Sequence, residues 1–284
     1  MRLFDHAALP PLLAGLFDDA SLFPPNSATM VDAVRGHGEH RRAWYAPLVG
    51  PFVCPAGRIA ELDTVAQRER FGEVSIVLTV PDGPTAVEGG VHAAREYGWL
   101  HLTAVEVPLQ GGGPETIATL RRRVGDRTGL AVEIPARDVD ESALRALAEQ
   151  DGVLKLRTAA TDQAPIVDPE SLATALLRAA AAGVPVKFTG GLHHALPVTI
   201  DGARSGYGFL TVLAAGYAVL RSEGLAPLAE VVSQLTATEY RHLMLPEPTS
   251  DEAGRLRERL RSIGSCSIDE PLADLTALGL LVAP

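Results

Sequence analysis

Three consecutive segments decide the fold: GVLKLRT (Gly152–Thr158), PESLATALLRAAAA (Pro169–Ala182) and VPVKFTG (Val184–Gly190). The first and third are apolar runs of strand length, whereas the apolar residues of the middle segment recur at helical spacing. Asp168, immediately before a proline, is typical of a helix start. A strand, a helix and a second strand in this order predict one βα unit of a parallel sheet.

The same alternation continues along the whole chain and predicts eight strands. We expect them at Gly15–Ala20, Leu48–Cys54, Val74–Val80, His101–Val107, Leu130–Pro135, Val153–Thr158, Val184–Thr189 and Ser262–Cys266. Amphipathic stretches follow most of them, at Thr29–Trp44, Arg58–Phe71, Thr85–Tyr97, Glu115–Arg127, Glu141–Gln150 and Pro169–Ala182. Eight strands with intervening helices predict a (β/α)8 barrel, the TIM barrel, which takes about 250 residues. The 284 residues contain no composition shift or linker, so we expect a single domain spanning 1–284.

The regular pattern is interrupted between strands seven and eight. A long loop, Leu192–Gly206, precedes extra helices at Phe209–Ser222, Leu225–Glu239 and Asp251–Arg261. A long loop on the catalytic face of a barrel predicts a lid or a substrate pocket. The alternative, an open doubly wound sheet, lacks its usual Gly-x-Gly-x-x-Gly after the first strand.

Composition and charge exclude several classes of function. The net charge of −10 argues against a nucleic-acid backbone or an anionic membrane as partner. Residues Met1–His6 lack the apolar core of a signal peptide, and the apolar stretch Leu172–Val186 is shorter than a membrane span. Cys54 and Cys266 resemble no zinc spacing, although a disulfide between them stays open. We expect a cytoplasmic protein that acts on a small molecule, and barrels of this size often form homodimers.

Of the 25 basic side chains only two are lysines, Lys155 and Lys187. Arginine replaces lysine on a surface, but it cannot lose its proton and attack a carbonyl as an amine can. Both lysines lie in the middle of apolar runs, where a charge without a purpose is costly. They are therefore candidates for chemistry, with buried ion pairs as the structural alternative.

The alternation of side chains along each strand predicts which of them point into the barrel. Leu154 and Leu156 face the helices, which leaves Lys155 and Arg157 inside. The inward set on strands three to seven is Ser75, Thr79, Glu106, Glu133, Lys155, Arg157, Lys187 and Thr189. A purely structural barrel fills this space with aliphatic residues, and a buried salt-bridge network seldom stabilises more than apolar packing does.

Two lysines on adjacent strands have a chemical consequence. Their ammonium groups would repel in a low-dielectric pocket, so that one becomes the neutral amine needed for a Schiff base. Glu106 or Glu133 would then relay protons. Arg157, on the same face as Lys155, suits a carboxylate or a phosphate. No organic cofactor is implied.

Three motifs in this order, LKLRT (Leu154–Thr158), VKFTGG (Val186–Gly191) and IGSCS (Ile263–Ser267), make the sequence resemble the class I aldolases of the deoxyribose-phosphate aldolase type. The resemblance implies that Lys155 is the Schiff-base nucleophile, that Lys187 lowers its pKa, and that Glu106 stands in for an aspartate of the family.

The resemblance also implies a phosphate-binding turn after strand eight, with Gly264, Ser265 and Ser267. The segment LHHA after strand seven and the segment FDDASLFPP on the first strand are outside the family's pattern. We therefore expect a separate bacterial family on the same scaffold, with a substrate other than deoxyribose phosphate.

The remaining candidates lie on the catalytic rim. One residue of Asp18–Asp19 should face the pocket and the other should cap a turn, and we assign Asp19 to the pocket. We expect His193 to act as a general acid or base, and His194, Thr189 and the backbone of Gly190–Gly191 to contact substrate. Cys266 is expected to be a small buried thiol.

The prediction is thus a Schiff-base lyase of the class I aldolase type, acting on a small anionic carbonyl compound or sugar phosphate, with no metal. Two alternatives stay open. The first is a metal-dependent lyase, isomerase or hydrolase that uses Asp19, Glu133, His193 and His194 as ligands. The second is a non-catalytic barrel that binds a ligand through its lysines.

Overall fold

The computed structural model describes residues 9–160, 165–200, 203–204 and 206–283. Within these ranges eight parallel strands close a barrel in the order β1-β8-β7-β6-β5-β4-β3-β2. The strands are β1 Phe17–Asp19, β2 Val49–Pro55, β3 Val74–Thr79, β4 Leu100–Pro108, β5 Gly129–Glu133, β6 Gly152–Arg157, β7 Val186–Thr189 and β8 Leu260–Ser265. The predicted (β/α)8 barrel is confirmed, and each strand overlaps its predicted segment.

Helices lie between the strands and form the outer layer. They are α1 Met30–Arg42, α2 Ile59–Arg68, α3 Val87–Arg95, α4 Pro114–Val124, α5 Glu141–Glu149, α6 Pro169–Ala181, α7 Phe209–Arg221, α8 Leu228–Thr236, α9 Asp251–Arg259 and α10 Asp269–Ala277. The last helix, α10, was not predicted. Within the described ranges, every helix is too short or too polar to cross a membrane. The N-terminal segment considered for a signal peptide lies outside the described residues.

Local chemistry explains where α5 and α6 begin and where α6 ends. The side chains of Asp140 and Asp168 accept hydrogen bonds from the first-turn amides of Ala143 and Ser171, as helix N-caps do. At the end of α6, Gly183 has φ of 70°, in the left-handed region that glycine adopts without strain. This turn leads the chain directly into β7.

The extra helices lie in the outer layer. Helix α7 occupies the position between β7 and β8, α8 packs against α6 and α7, and α9 packs against α7 and β8. The ring of Phe209 on α7 meets Phe17 of β1 edge-on, with 5.1 Å between the ring centroids. These helices therefore bury their apolar faces on the barrel, whereas the lid or substrate pocket is expected at the loop Leu192–Gly206, which lies only partly within the described residues.

The barrel interior is divided into two unlike halves. On the side of β2 to β4 it is apolar, with Ala20, Val53 and Val77 packed against Phe23 and Ala104. On the side of β4 to β7 the inward positions carry charged side chains. Outward positions such as Leu154 and Leu156 are completely buried beneath the helices.

Candidate active site

The C-terminal ends of the strands surround a cavity of about 550 Å³. Catalytic sites of (β/α)8 barrels lie at this end, and the volume suits a small molecule. Among its lining residues are Lys155, Glu106, Arg157, Thr79, Thr189, Gly190, Gly191, Gly264, His193 and Cys266. The structure thus brings together most of the predicted site residues.

Lys155 lies at the base of this cavity and is 6% exposed. Its Nζ is 2.7 Å from Oε2 of Glu106 and 2.9 Å from Oε2 of Glu133. In the parallel ladder Glu133 on β5 pairs with Lys155 on β6, and Lys155 pairs with Lys187 on β7. The strand register therefore places an amine between two carboxylates.

Lys187 is bound by Asp18 and Glu106 and is buried. Burial alone would lower the pKa of its ammonium group, but the charges of Asp18 and Glu106 outweigh burial and raise that pKa. The prediction that repulsion makes one lysine a neutral amine is therefore wrong for Lys187. Glu106 contacts both ammonium groups and offsets their charges.

The two glutamates of the site are ionised at neutral pH. Burial would raise the pKa of Glu106, but the charges of Lys155 and Lys187, with their hydrogen bonds, lower it to about 2. Burial also opposes ionisation of Glu133, and the charges of Lys155 and Arg157 lower its pKa. Each carboxylate is thus held as an anion by two cations.

Arg157 is the outermost member of this group. Its Nε is 2.9 Å from Oε1 of Glu133, and 41% of its side chain is exposed at the cavity. We call the six residues the ionic cluster: Asp18, Glu106, Glu133, Lys155, Arg157 and Lys187. The three carboxylates and three cations balance, so the cluster is neutral as a whole.

Thr79 adds a polar group without a hydrogen-bond partner among the described residues. Its side chain lines the cavity and is 9% exposed, yet its hydroxyl makes no hydrogen bond within the described ranges. A buried hydroxyl usually has a hydrogen-bond partner. The unpaired hydroxyl therefore favours a site that binds a polar molecule.

The structure corrects the assignment of Asp19. Asp18 points into the barrel, where it binds Lys187 and accepts a hydrogen bond of 2.7 Å from Ser262 Oγ. Asp19 points towards α1, where its Oδ2 is 2.9 Å from Nδ1 of His37, and its Oδ1 accepts from the amide of Ser21. The sequence signal for this orientation is the apolar residue Phe17. Because Phe17 faces the helices, strand alternation places the next residue, Asp18, inside the barrel.

The two rim histidines diverge. His193 lines the cavity, and its Nδ1 is 3.2 Å from Oε2 of Glu270. His194 lies outside the cavity beside Asp274, at 3.3 Å, so it does not reach a substrate there. The set proposed for a metal is not brought together, and the described part of the chain contains no cluster of three or more such ligands.

The turn after β8 also differs from the expected phosphate site. Ser265 is 1% exposed, and its hydroxyl donates to the carbonyl of Ser267, while Oγ of Ser267 accepts from the amide of Glu270. Neither serine lines the cavity. Gly264 and Cys266 are the members of this turn that do. Cys266 and Cys54 are both free, so no disulfide joins them.

Ser75 lies at the other end of the barrel. It is at the N-terminal end of β3, beside a separate cavity of about 610 Å³ that His37 and His101 also line. The inward orientation expected for Ser75 therefore does not bring it to the ionic cluster. Since the charged groups and the strand C-termini meet at the opposite end, we place the candidate active site there.

The chain is thus a (β/α)8 barrel with an ionic cluster at the C-terminal ends of its strands. No protein-family model matches it, and no curated protein does. A crystal structure from Coccidioides immitis, of a protein provisionally named a fructose-1,6-biphosphate aldolase, is similar over 92% of this chain and 97% of that one. The identity is 14% and the TM-score 0.38, too low to carry an argument about activity. The fold follows instead from the strand order described above.

Proposed function

We propose that the protein is a Schiff-base-forming carbon–carbon lyase, with Lys155 as the nucleophile. The observation that carries the proposal is the position of Lys155 Nζ, at the base of the cavity and within 2.9 Å of two carboxylates. An amine between two bases can lose its proton to one of them and attack a carbonyl carbon from the cavity.

Glu133 is the better acceptor for the proton of Lys155. Glu106 is held by both lysines, and its pKa of about 2 makes it a weak base. Glu133 is bound by Lys155 and Arg157 and keeps 21% of its side chain exposed. After the amine nitrogen bonds to the carbonyl carbon, the carbinolamine oxygen receives two protons by way of Glu133, the one taken from the ammonium group and a second one from the bonded nitrogen, and it leaves as water.

The resulting iminium ion carries the positive charge that the ammonium group had. The carboxylates of Glu106 and Glu133 therefore stabilise it without rearrangement, as preorganised groups do for developing charge. The bond between the α and β carbons then breaks, and its electron pair forms an enamine. The proton of the β-hydroxyl passes to a base, for which we propose His193, and an aldehyde is released. Protonation and hydrolysis of the enamine return Lys155.

The substrate class follows from the cavity walls. Arg157 presents a guanidinium group, which suits a carboxylate or phosphate of the substrate. The unpaired hydroxyl of Thr79 suits a substrate hydroxyl. We therefore propose a small, anionic, hydroxylated carbonyl compound.

The test is exchange of the α-hydrogens of small carbonyl compounds with D2O, followed by NMR. A panel of pyruvate, glycolaldehyde, dihydroxyacetone and dihydroxyacetone phosphate covers charged and neutral ketones and aldehydes. We expect exchange with the wild-type protein, because the iminium and enamine interconvert, and none with Lys155→Arg. Glu133→Gln should slow exchange. The matched control is Glu69→Gln, which removes a surface carboxylate paired with Arg35. This variant should exchange α-hydrogens at the rate of the wild type.

Two results would reject the proposal. Exchange that continues in Lys155→Arg but stops with a chelator would favour the metal-dependent alternative. A compound that binds both proteins equally, with no exchange in either, would favour the non-catalytic barrel. Thermal melting of each variant checks that it is folded.

A further inference from the structure

A second group of reactive side chains lines the same cavity and is separate from the ionic cluster. Cys266 follows β8 directly, and its thiol is 3.7 Å from both ring nitrogens of His193. Both residues line the cavity. Cys266 has only 5% of its surface exposed, so it can react only with a molecule that enters there.

The backbone around Cys266 is fixed from several directions. The side-chain amide of Asn26 donates to its carbonyl at 3.0 Å. The amide of Ala20 donates to the carbonyl of Ser265 at 2.7 Å, and the hydroxyl of Ser265 binds the carbonyl of Ser267 at 2.6 Å. The backbone of Cys266 is therefore held by the segment that follows β1 and by its own turn.

Glu270 orients His193. Because the carboxylate is 3.2 Å from Nδ1, it favours the tautomer in which Nδ1 carries the proton, and Nε2 keeps its lone pair. Burial lowers the pKa of His193, against the opposing charge of Glu270, so the ring is neutral at neutral pH. Burial raises the pKa of Cys266, so its resting state is the thiol.

We propose that Cys266, His193 and Glu270 form a second nucleophilic centre, which binds a small aldehyde as a hemithioacetal. The arrangement has the three parts of an activated nucleophile: a thiol, a base in contact with it, and a carboxylate that orients the base. Glu270 acts as a positioning residue. The centre goes beyond the proposed lyase, because it does not need Lys155 to react.

Addition to an aldehyde can be completed with the groups that are present. The thiol proton moves to Nε2 of His193, sulfur bonds to the aldehyde carbon, and His193 returns the proton to the former carbonyl oxygen. No group leaves, and nothing is oxidised or reduced. The unpaired hydroxyl of Thr79 in the same cavity is a donor for an oxygen of the bound molecule.

The first test measures the rate of alkylation by iodoacetamide at each cysteine, by peptide mass spectrometry, as a function of pH. Cys54 is the internal control, because it faces the helices, is fully buried, and has a pKa raised by burial to about 12. With His193 as base, Cys266 should already react at neutral pH, and His193→Gln should lower that rate about 100-fold. Glu270→Gln should lower it less. His194→Gln, at the neighbouring histidine outside the cavity, should have no effect.

The second test asks whether glycolaldehyde protects Cys266 from iodoacetamide. We expect protection in the wild type and also in Lys155→Arg, which cannot form a Schiff base. Lys155→Met serves the same purpose if the arginine variant does not melt cooperatively.

Failure of this proposal can be distinguished from failure of the lyase proposal. Alkylation that has the same pH profile in His193→Gln and the wild type would overturn the nucleophilic centre. Protection that disappears with Lys155 would overturn the hemithioacetal. Absence of α-hydrogen exchange with every compound of the panel would count against the lyase alone and would leave both thiol measurements valid.

Discussion

The buried carboxylate of Glu106 makes a quantitative prediction about stability and pH. Its pKa in the folded protein is about 2, compared with 4.5 for an ordinary glutamate. A folded-state pKa below the unfolded value stabilises the protein above the unfolded pKa, and this contribution is lost as the pH falls from 4.5 towards 2. The difference of about 2.5 pH units corresponds to about 3 kcal/mol.

We therefore expect Glu106→Gln to lower the free energy of unfolding by about 3 kcal/mol at neutral pH, with the two proteins converging near pH 2. Urea unfolding of both proteins across this range measures the difference. The control is Glu69→Gln, at an exposed pair with Arg35. Its free energy of unfolding should change with pH nearly as that of the wild type does. A difference between Glu106→Gln and the wild type that does not change with pH would refute the reasoning.

Two further predictions concern the packing of the ionic cluster. Lys187→Met should lower the free energy of unfolding by about 3–5 kcal/mol, because it leaves the buried Asp18 without its lysine and Glu106 with Lys155 alone. Arg35→Met, at an exposed pair, should cost no more than about 1 kcal/mol. Equal losses in urea unfolding would contradict this. Gly50→Ala should destabilise by about 1–3 kcal/mol, since its Cβ would lie 2.2 Å from Oδ1 of Asp18. Gly89→Ala lies on α3, where an added Cβ would meet no atom within 4 Å beyond its chain neighbours and the backbone of its own helix. This change should instead stabilise the protein by about 0.5–1 kcal/mol, and thermal melting compares the two variants.

The barrel could be predicted from the sequence because its signals are local. Apolar runs of strand length, helical periodicity and capping aspartates each depend on a few neighbouring residues. The same is true of the inward orientation of Lys155 and Lys187, which follows from their leucine, valine and phenylalanine neighbours. Strand alternation therefore predicts which half of the interior is charged.

The contacts within the site depend on residues that are distant in sequence. Asp18 and Lys187 are 169 residues apart, and Cys266 and His193 are 73 apart. Alternation shows that an amine points inward, but not that a carboxylate lies between two amines and removes their repulsion. Glu270 is not predicted for a different reason: it lies on the short helix α10, which is not among the helices expected from the sequence.

Some predictions concern properties beyond the folded chain. The homodimer, the cytoplasmic location and the single domain stay predictions. The small anionic carbonyl substrate rests on Arg157 and Thr79, and the roles of Lys155, Glu133 and His193 rest on the proposed mechanism.

The most direct measurement of the central claim is borohydride reduction in the presence of the same panel of carbonyl compounds, read by intact and peptide mass spectrometry. The chain has only two lysines, so the modified residue can be assigned without ambiguity. We predict a stable adduct on Lys155 that needs both the carbonyl compound and borohydride. Lys187 should stay unmodified, because its raised pKa keeps it as an ammonium ion. An adduct on Lys187 instead, or no adduct on either lysine across the panel, would contradict the account.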